Sequence, residues 1–214
     1  DGETITATYT ITVTDDSGTG NNTTTQDVTV TIAGTNDQPT ISVVDVVGAV
    51  TEDASTPNLT DSGSVTFAEV DDTDLINSSV ALSGTTTTGP AIPAGLATAL
   101  ASSVSITQTG TNDGSIAWDF SVDNTLVQYL ADGETITATY TITVTDDSGT
   151  GNNTTTQDIT VTITGTNDQP TITVVDVVGA VTEDVTTPNL TDSGSVTFAE
   201  VDDTDLLGSS VALS

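Results

Sequence analysis

The residues of this chain that could do chemistry are its acidic side chains, which gather in short loops. The loop AEVDDTD (68–74) carries four of them, the turn DDSG (146–149) carries two, and the segment NDQP (36–39) adds an amide and a carboxylate. Ca²⁺ takes about six to eight hard oxygen ligands in flexible geometry, whereas Mg²⁺ demands a stricter octahedron. The spacing therefore predicts Ca²⁺ binding. Neither an EF-hand loop nor a glycine-rich β-roll nonapeptide is present.

Composition excludes most other chemistry. The 214 residues include 31 acids but no Lys, Arg, His or Cys, which gives a formal net charge of −31. Without His or Cys there is no Ser-His or Cys-His nucleophile pair and no zinc site of the usual ligands. Without cationic side chains the surface would repel nucleic acid and anionic membranes. We therefore expect no enzyme activity and no nucleic-acid partner. We also expect no membrane insertion, because no apolar run is long enough to span a bilayer.

The chain repeats itself. Residues 1–83 reappear as residues 132–214, with substitutions at seven positions: Val28, Ala33, Ser42, Ala54, Ser55, Ile76 and Asn77. Such a long period indicates tandem domains rather than solenoid turns. We predict a complete repeat at 38–168, the C-terminal part of a preceding repeat at 1–37, and the N-terminal part of a following repeat at 169–214. The pattern begins in mid-repeat, so we expect a window of a longer array.

Alternation with period two predicts an all-β fold. The complete repeat shows seven strands, at about 40–51, 62–69, 77–83, 103–109, 115–122, 135–145 and 157–165, here called A to G. The stretch AGLATALA predicts one short helix between C and D, and LVQYL (126–130) a helical turn between E and F. Seven antiparallel strands with turn signals between them favour an immunoglobulin-like sandwich, with its aromatic side chains in the core. Those side chains are Phe67, Trp118, Phe120, Tyr129 and Tyr140.

A sandwich of this order sorts the acidic loops to its two ends. The first end would hold the loop between strands B and C (the B–C loop, 68–74), the turn between F and G (the F–G turn, 146–149) and the incoming linker (36–39). Its candidate ligands are Asn36, Asp37, Glu69, Asp71, Asp72, Asp74, Asp146 and Asp147. The second end would hold the A–B and E–F segments, the outgoing linker and the next B–C loop, with candidates Glu52, Asp53, Asp123, Asp132, Glu134, Asn167, Asp168, Glu200, Asp202, Asp203 and Asp205. Each junction would thus bind Ca²⁺ between neighbouring repeats, and the linker proline would keep the joint extended.

Three stretches give the chain a resemblance to a known family. The segments LTDSGSVTFAEVDDTD, WDFSVDNTLVQYLADGETITATYTITVTDDSG and VTVTITGTND resemble the VCBS-type repeats of giant RTX-type bacterial surface adhesins, in a permuted frame that covers the whole chain. The resemblance implies cadherin-like or immunoglobulin-like extender domains, Ca²⁺ at the domain junctions, and a location outside the cell on the bacterial surface. The function expected on this basis is a stalk that projects a distal binding region for adhesion or biofilm formation.

Two other functions compete with the stalk. The threonine rows on strands F and G could bind glycan or ice, with Thr135, Thr137, Thr139, Thr141 and Thr143 on strand F. Alternatively, incomplete repeats at the two ends of the chain could pair with identical chains and build a filament, because open strand edges seek partners. Threonine is also a good strand residue in itself, which weakens the first alternative.

Overall fold

A computed structural model describes residues 2–213 and shows an all-β chain. The strands are β1 (Thr4–Thr14), β2 (Thr23–Ala33), β3 (Thr40–Asp45), β4 (Val47–Thr51), β5 (Asn58–Ala68), β6 (Asn77–Thr87), β7 (Val104–Thr109), β8 (Gly114–Asp123), β9 (Thr135–Thr145), β10 (Thr154–Thr164), β11 (Thr171–Asp176) and β12 (Ser195–Ala199). One helix, α1 (Ala94–Leu100), and one 3-10 turn (Asn124–Leu126) complete the set. Neither helical element has the length and apolarity to cross a membrane.

Strands β3 to β10 form a sandwich of two four-stranded sheets. One sheet has the order β3-β5-β8-β7 and the other β4-β10-β9-β6. Alternate residues of β8, β9 and β10 point inward, so Trp118, Tyr140 and Ile159 are buried between the sheets. The predicted all-β, immunoglobulin-like fold class is therefore confirmed, and the predicted helix lies in the expected connection between β6 and β7.

Helix α1 closes one side of this core. Its Leu96 and Leu100 are buried, and the Leu100 carbonyl oxygen accepts a hydrogen bond from the Tyr140 hydroxyl at 3.1 Å. The same hydroxyl lies 2.6 Å from Ser103 Oγ, and the Tyr140 ring meets the Phe120 ring edge to face with centroids 6.5 Å apart. Four of the five predicted core aromatics are buried, while Tyr129 is half-buried against the core.

The predicted strand A is two strands, because the chain changes sheets at Val46. β3 pairs antiparallel with β5, whereas β4 pairs parallel with β10, from Val47 opposite Thr160 to Thr51 opposite Thr164. A register shift at the end of β3 turns the backbone, and the Asp45 carbonyl oxygen accepts a 2.8 Å hydrogen bond from Trp118 Nε1. A single strand over 40–51 would have paired within only one sheet, whereas the crossing supplies an edge strand to each of the two sheets.

The segment 169–213, which begins the following repeat, forms only part of a sheet. β11 pairs with β12 as β3 pairs with β5, but residues 177–194 and 207–213 are not in strands. In the middle repeat the corresponding β4 and β6 pair with β10 and β9, and the described residues 200–213 include no copies of those two partner strands. Strands form where their partners exist, so the sequence prediction of strands A to C in this segment is only partly realised.

The hairpin of β1 and β2 presents its apolar face to solvent. Tyr9 is 61% exposed, whereas its copy Tyr140 is 1% exposed. Ile11 is 52% exposed and its copy Ile142 is 0% exposed. The two hairpins have the same register, from Thr4 opposite Ala33 and from Thr135 opposite Thr164. The same sequence therefore forms the same hairpin with and without an opposing sheet.

Candidate metal site at the repeat junctions

The first linker is held by hydrogen bonds at the end of the sandwich where β5 finishes. The Asp37 N–H donates to Asp71 Oδ2 at 2.8 Å. Asn36 lies against the turn between β9 and β10, with its Nδ2 3.5 Å from Asp146 Oδ2 and its carbonyl oxygen 3.0 Å from Asn152 Nδ2. The linker thus contacts both the B–C loop and the F–G turn.

The B–C loop and the F–G turn are also joined to each other. The Leu75 N–H donates to Asp147 Oδ1 at 2.8 Å. Within the loop, Glu69 Oε1 accepts the N–H groups of Val70 and Asp71 at 2.7 and 3.0 Å. These bonds hold the carboxylates of one acidic loop beside those of another, without a cationic side chain between them.

Several oxygens in this first cluster are buried and have no hydrogen-bond partner. They are Asn36 Oδ1, Glu69 Oε2 and Asp74 Oδ2. Glu69 is 6% exposed and Asp74 is 7% exposed. Burial, together with the charges of Asp71, Asp146 and Asp147, raises the pKa of the Asp74 carboxyl above its ordinary value. A buried oxygen acceptor without a donor is costly, and a cation is the group that would satisfy all three.

The second junction repeats this arrangement one repeat later. The Asp168 N–H donates to Asp202 Oδ2 at 2.9 Å, matching the contact of Asp37 with Asp71. Contacts across the joint also recur, because Thr204 Oγ1 donates to Glu134 Oε1 at 3.0 Å, as Thr73 Oγ1 does to Glu3 Oε1 at 2.6 Å. Two near-identical linkers therefore dock in the same way on their following acidic loops.

Unpartnered buried oxygens recur at the second junction as well. They are Asp168 Oδ2 and Asp202 Oδ1, and Asp202 is only 2% exposed. Burial raises the pKa of both carboxyls, and Glu200 adds to the effect on each. Asp168 and Asp202 correspond to Asp37 and Asp71 of the first junction, so both junctions hold unpartnered buried oxygens but on different residues of the linker and the acidic loop.

Other predicted ligands have partners of their own. Glu52 is 1% exposed and accepts hydrogen bonds from Thr166 and Gln128 through its two carboxylate oxygens. Asp53 caps the turn at Ser55 and Thr56, whose hydrogen bonds lower its pKa. Asp123 likewise caps Thr125, which lowers its pKa.

The remaining predicted ligands are near the junctions but outside the buried clusters. Asp72, Asp132, Asn167, Asp203 and Asp205 are exposed, and Glu200 is half-buried. The Asp203 N–H donates to the Tyr129 carbonyl oxygen at 3.1 Å, which links the second B–C loop to the preceding repeat.

Sequence reasoning overlooked Asn112 and Asp113 as members of the first cluster. Asn112 Nδ2 donates to the carbonyl oxygens of Asp71 and Asp74, at 3.0 and 3.3 Å. Asp113 Oδ1 accepts the Glu69 N–H at 3.0 Å. A signal was present, because GTND occurs at 110–113 as well as in the two linkers. The tetrapeptide thus serves both as a linker and as a support for the acidic loop.

The donor set fits a hard cation in its chemistry but not yet in its geometry. Among residues 2–213, no three acidic side chains already surround one point closely enough to hold an ion. The free oxygens nevertheless come from carboxylates and an amide, the ligand types that Ca²⁺ prefers, and Ca²⁺ also accepts backbone carbonyls and water. Binding would therefore require the acidic side chains of these loops to rotate toward a common point.

Comparison with known proteins finds likeness among solved structures only. No protein-family model matches the sequence, and no curated protein matches it. Among solved structures, the chain is similar to CfaE, the adhesive subunit of the CFA/I fimbria of enterotoxigenic Escherichia coli, with 15% sequence identity and a TM-score of 0.40. The match covers 76% of this chain and 58% of that one. It adds no residue roles to the site.

Proposed function

We propose that the chain is part of the stalk of a large extracellular bacterial adhesin, whose repeats hold a distal binding region away from the cell for adhesion or biofilm formation. Ca²⁺ bound at each junction stiffens the joint between neighbouring repeats. The observation that carries the proposal is the recurrence, at two linkers, of the same docking contact beside buried carboxylate oxygens that have no partner. Identical joints suit a spacer, which needs length and a defined angle at each step.

The charge of the clusters makes a cation necessary for a stiff joint. At physiological salt the screening length is about 8 Å, longer than the spacing inside one acidic loop. Carboxylates from the linker, the B–C loop and the F–G turn therefore repel one another when no ion is bound. The hydrogen bonds of Asp37 and Asp168 to the acidic loops hold the joint only weakly against that repulsion. A bound cation would turn the repulsion between these carboxylates into a net attraction toward the ion.

The apolar faces of the incomplete repeats support an array. The β1–β2 hairpin exposes residues that the middle repeat buries against its other strands. A neighbouring segment with the sequence pattern of residues 40–131 would cover them. In the filament alternative, the same faces would be covered by other chains. Gel filtration with light scattering separates the two, since a concentration-dependent rise in mass supports the filament and a constant monomer mass supports the stalk.

Calcium titration of a chelator-treated sample tests the proposal. Thermal unfolding and small-angle scattering are followed together while Ca²⁺ is added, with Mg²⁺ in a parallel series. We expect both the melting temperature and the maximum dimension to rise with Ca²⁺, because ligand binding to the folded joint stabilises it by mass action. No response to millimolar Ca²⁺ would contradict the metal-stiffened stalk and leave the acidic loops as solvated turns.

A further inference from the structure

The direction of strands β4 and β10 determines how the sandwich would respond to tension. The chain enters beside the start of β10, where Gln38 Nε2 donates to the Thr154 carbonyl oxygen at 2.5 Å. It leaves at the opposite end, where the Glu52 N–H donates to the Thr164 carbonyl oxygen at 2.9 Å. β4 and β10 run parallel between these two ends. Tension on the chain therefore drags them in opposite directions along their common axis.

A parallel pair loaded in this way resists as a unit. The hydrogen bonds between parallel strands are evenly spaced along the pair, so sliding strains all of them together instead of opening them one at a time. The geometry points to the β4–β10 pair as the force-bearing clamp of the repeat, with the Glu52 carboxylate as its lock. β3 precedes β4 in the chain, so tension reaches its pairing with β5 first and its release is an earlier and smaller step.

Glu52 locks the clamp where the chain leaves the sandwich. Its Oε1 accepts the Thr166 N–H at 3.1 Å and the Thr166 hydroxyl at 2.6 Å. Its Oε2 accepts Gln128 Nε2 at 2.6 Å, which connects the clamp to the segment after β8. The carboxylate is 1% exposed, so water cannot readily replace these donors. Hydrogen bonds to a buried charged group are among the strongest in proteins.

β4 is also anchored on the side away from β10. The Ala49 N–H donates to Asp61 Oδ2 at 2.7 Å, and Asp61 lies on β5 in the other sheet. Sliding β4 past β10 thus breaks a contact between the sheets in addition to the ladder. The clamp is therefore bonded at its middle to the other sheet and at its end to Thr166, two residues after β10.

This inference deepens the proposed stalk function and rests on it for its meaning in the cell. Its test does not depend on Ca²⁺, because the clamp lies within one repeat and Glu52 already has protein donors. Measurements in chelator therefore separate the two. Loss of the calcium response alone would count against the proposed function, and loss of the force response alone would count against the clamp.

The experiment pulls the full 214-residue chain between engineered cysteines, which are unique because the natural sequence has none. Thr35→Cys with Gln169→Cys applies the force across opposite ends of the sandwich and loads the clamp in shear. Ala54→Cys with Gln169→Cys applies it at one end and unzips β4 from β10. The natural side chain and the three variants of the lock series described next all carry the attachment cysteines at positions 35 and 169. Every measurement is made in chelator.

We expect a single main unfolding event in shear, with about 400 Å of chain released from residues 47–164. Its force should be clearly higher than that of the unzipping geometry. Equal forces in the two geometries would overturn the clamp. The lock series then compares the natural chain with Glu52→Gln, Glu52→Ala and the matched control Asp158→Asn. Asp158 lies on β10 and bonds Thr141 of β9 instead of β4.

The lock makes a quantitative prediction for this series. Glu52→Ala should raise the unfolding rate in shear by about tenfold or more, because it removes hydrogen bonds to a buried charge, and Glu52→Gln by less because one acceptor oxygen remains. Asp158→Asn should leave the rate unchanged. If Glu52→Ala fails to fold, the graded effect of Glu52→Gln decides. A rate for Glu52→Gln equal to that of the natural chain in shear would overturn the role of Glu52.

Discussion

Replacing Glu69 by glutamine should change the stability of the sandwich in opposite directions with and without Ca²⁺. Glu69 follows β5 and is 6% exposed. Its Oε1 accepts two backbone N–H groups, of Val70 and Asp71, and its Oε2 has no partner. Glutamine has the same shape, keeps the first oxygen, and replaces the free oxygen with an amide that can donate to the neighbouring carboxylates.

The magnitudes follow from burial and from mass action. Leaving a buried polar group unsatisfied costs about 1–3 kcal/mol, so removal of the free charged oxygen in chelator should stabilise the sandwich by about 1 kcal/mol. For a domain of this size that corresponds to a rise of about 3 °C in melting temperature. In saturating Ca²⁺, a tenfold loss of affinity costs about 1.4 kcal/mol, so the same variant should melt below the natural chain.

The assay is thermal unfolding followed by Trp118 fluorescence, in chelator and in millimolar Ca²⁺. Trp118 is the single tryptophan and is fully buried, so its signal reports the sandwich. Asp158→Asn removes an equal charge from the outer sheet face and should change stability by less than about 0.5 kcal/mol in both buffers. A Glu69→Gln shift of the same sign in both buffers would refute the view that the free oxygen is a ligand.

Three further predictions concern the Tyr140 hydroxyl, the glycine that faces Trp118 and the protonation of Asp202. Tyr140→Phe should cost about 1 kcal/mol, because its buried hydroxyl bonds the helix end, whereas Tyr9→Phe on the exposed hairpin should cost nothing measurable by denaturant unfolding. Gly63→Ala should lower the melting temperature strongly, since a Cβ there would lie 2.6 Å from the Trp118 ring. Gly84→Ala is the control for this change, because a Cβ at that position meets no atom within 4 Å. In chelator, burial and nearby carboxylates raise the pKa of Asp202, so the folded joint binds protons more tightly than the unfolded chain. Joint stability should then fall as pH rises through that raised pKa and be greatest below the ordinary value of 3.8, as read from scattering at several pH values.

Much of the fold could be predicted from the sequence because alternation with period two is a local signal. The strands from β5 to β10 follow from it, and the helix follows from the alanine-rich stretch AGLATALA. The change of sheet at Val46 could not be predicted, because it depends on Trp118 reaching the Asp45 carbonyl oxygen from β8. The structural role of Glu52 was equally hidden, since its donors lie 76 and 114 residues away.

The acidic residues fall into two groups that explain how a chain without cations can fold. Glu52, Asp61 and Asp123 lie where backbone and hydroxyl donors satisfy them, and they belong to the construction of one repeat. Glu69 and Asp202 keep a buried oxygen without a donor, and they lie in the loops that receive a linker. Folding of the sandwich, which rests on its apolar core, is therefore separable from stiffening of the joint. If the proposed junction ions are bound, their removal should act on the angle between repeats before it acts on the core, and scattering against Trp118 fluorescence measures that order.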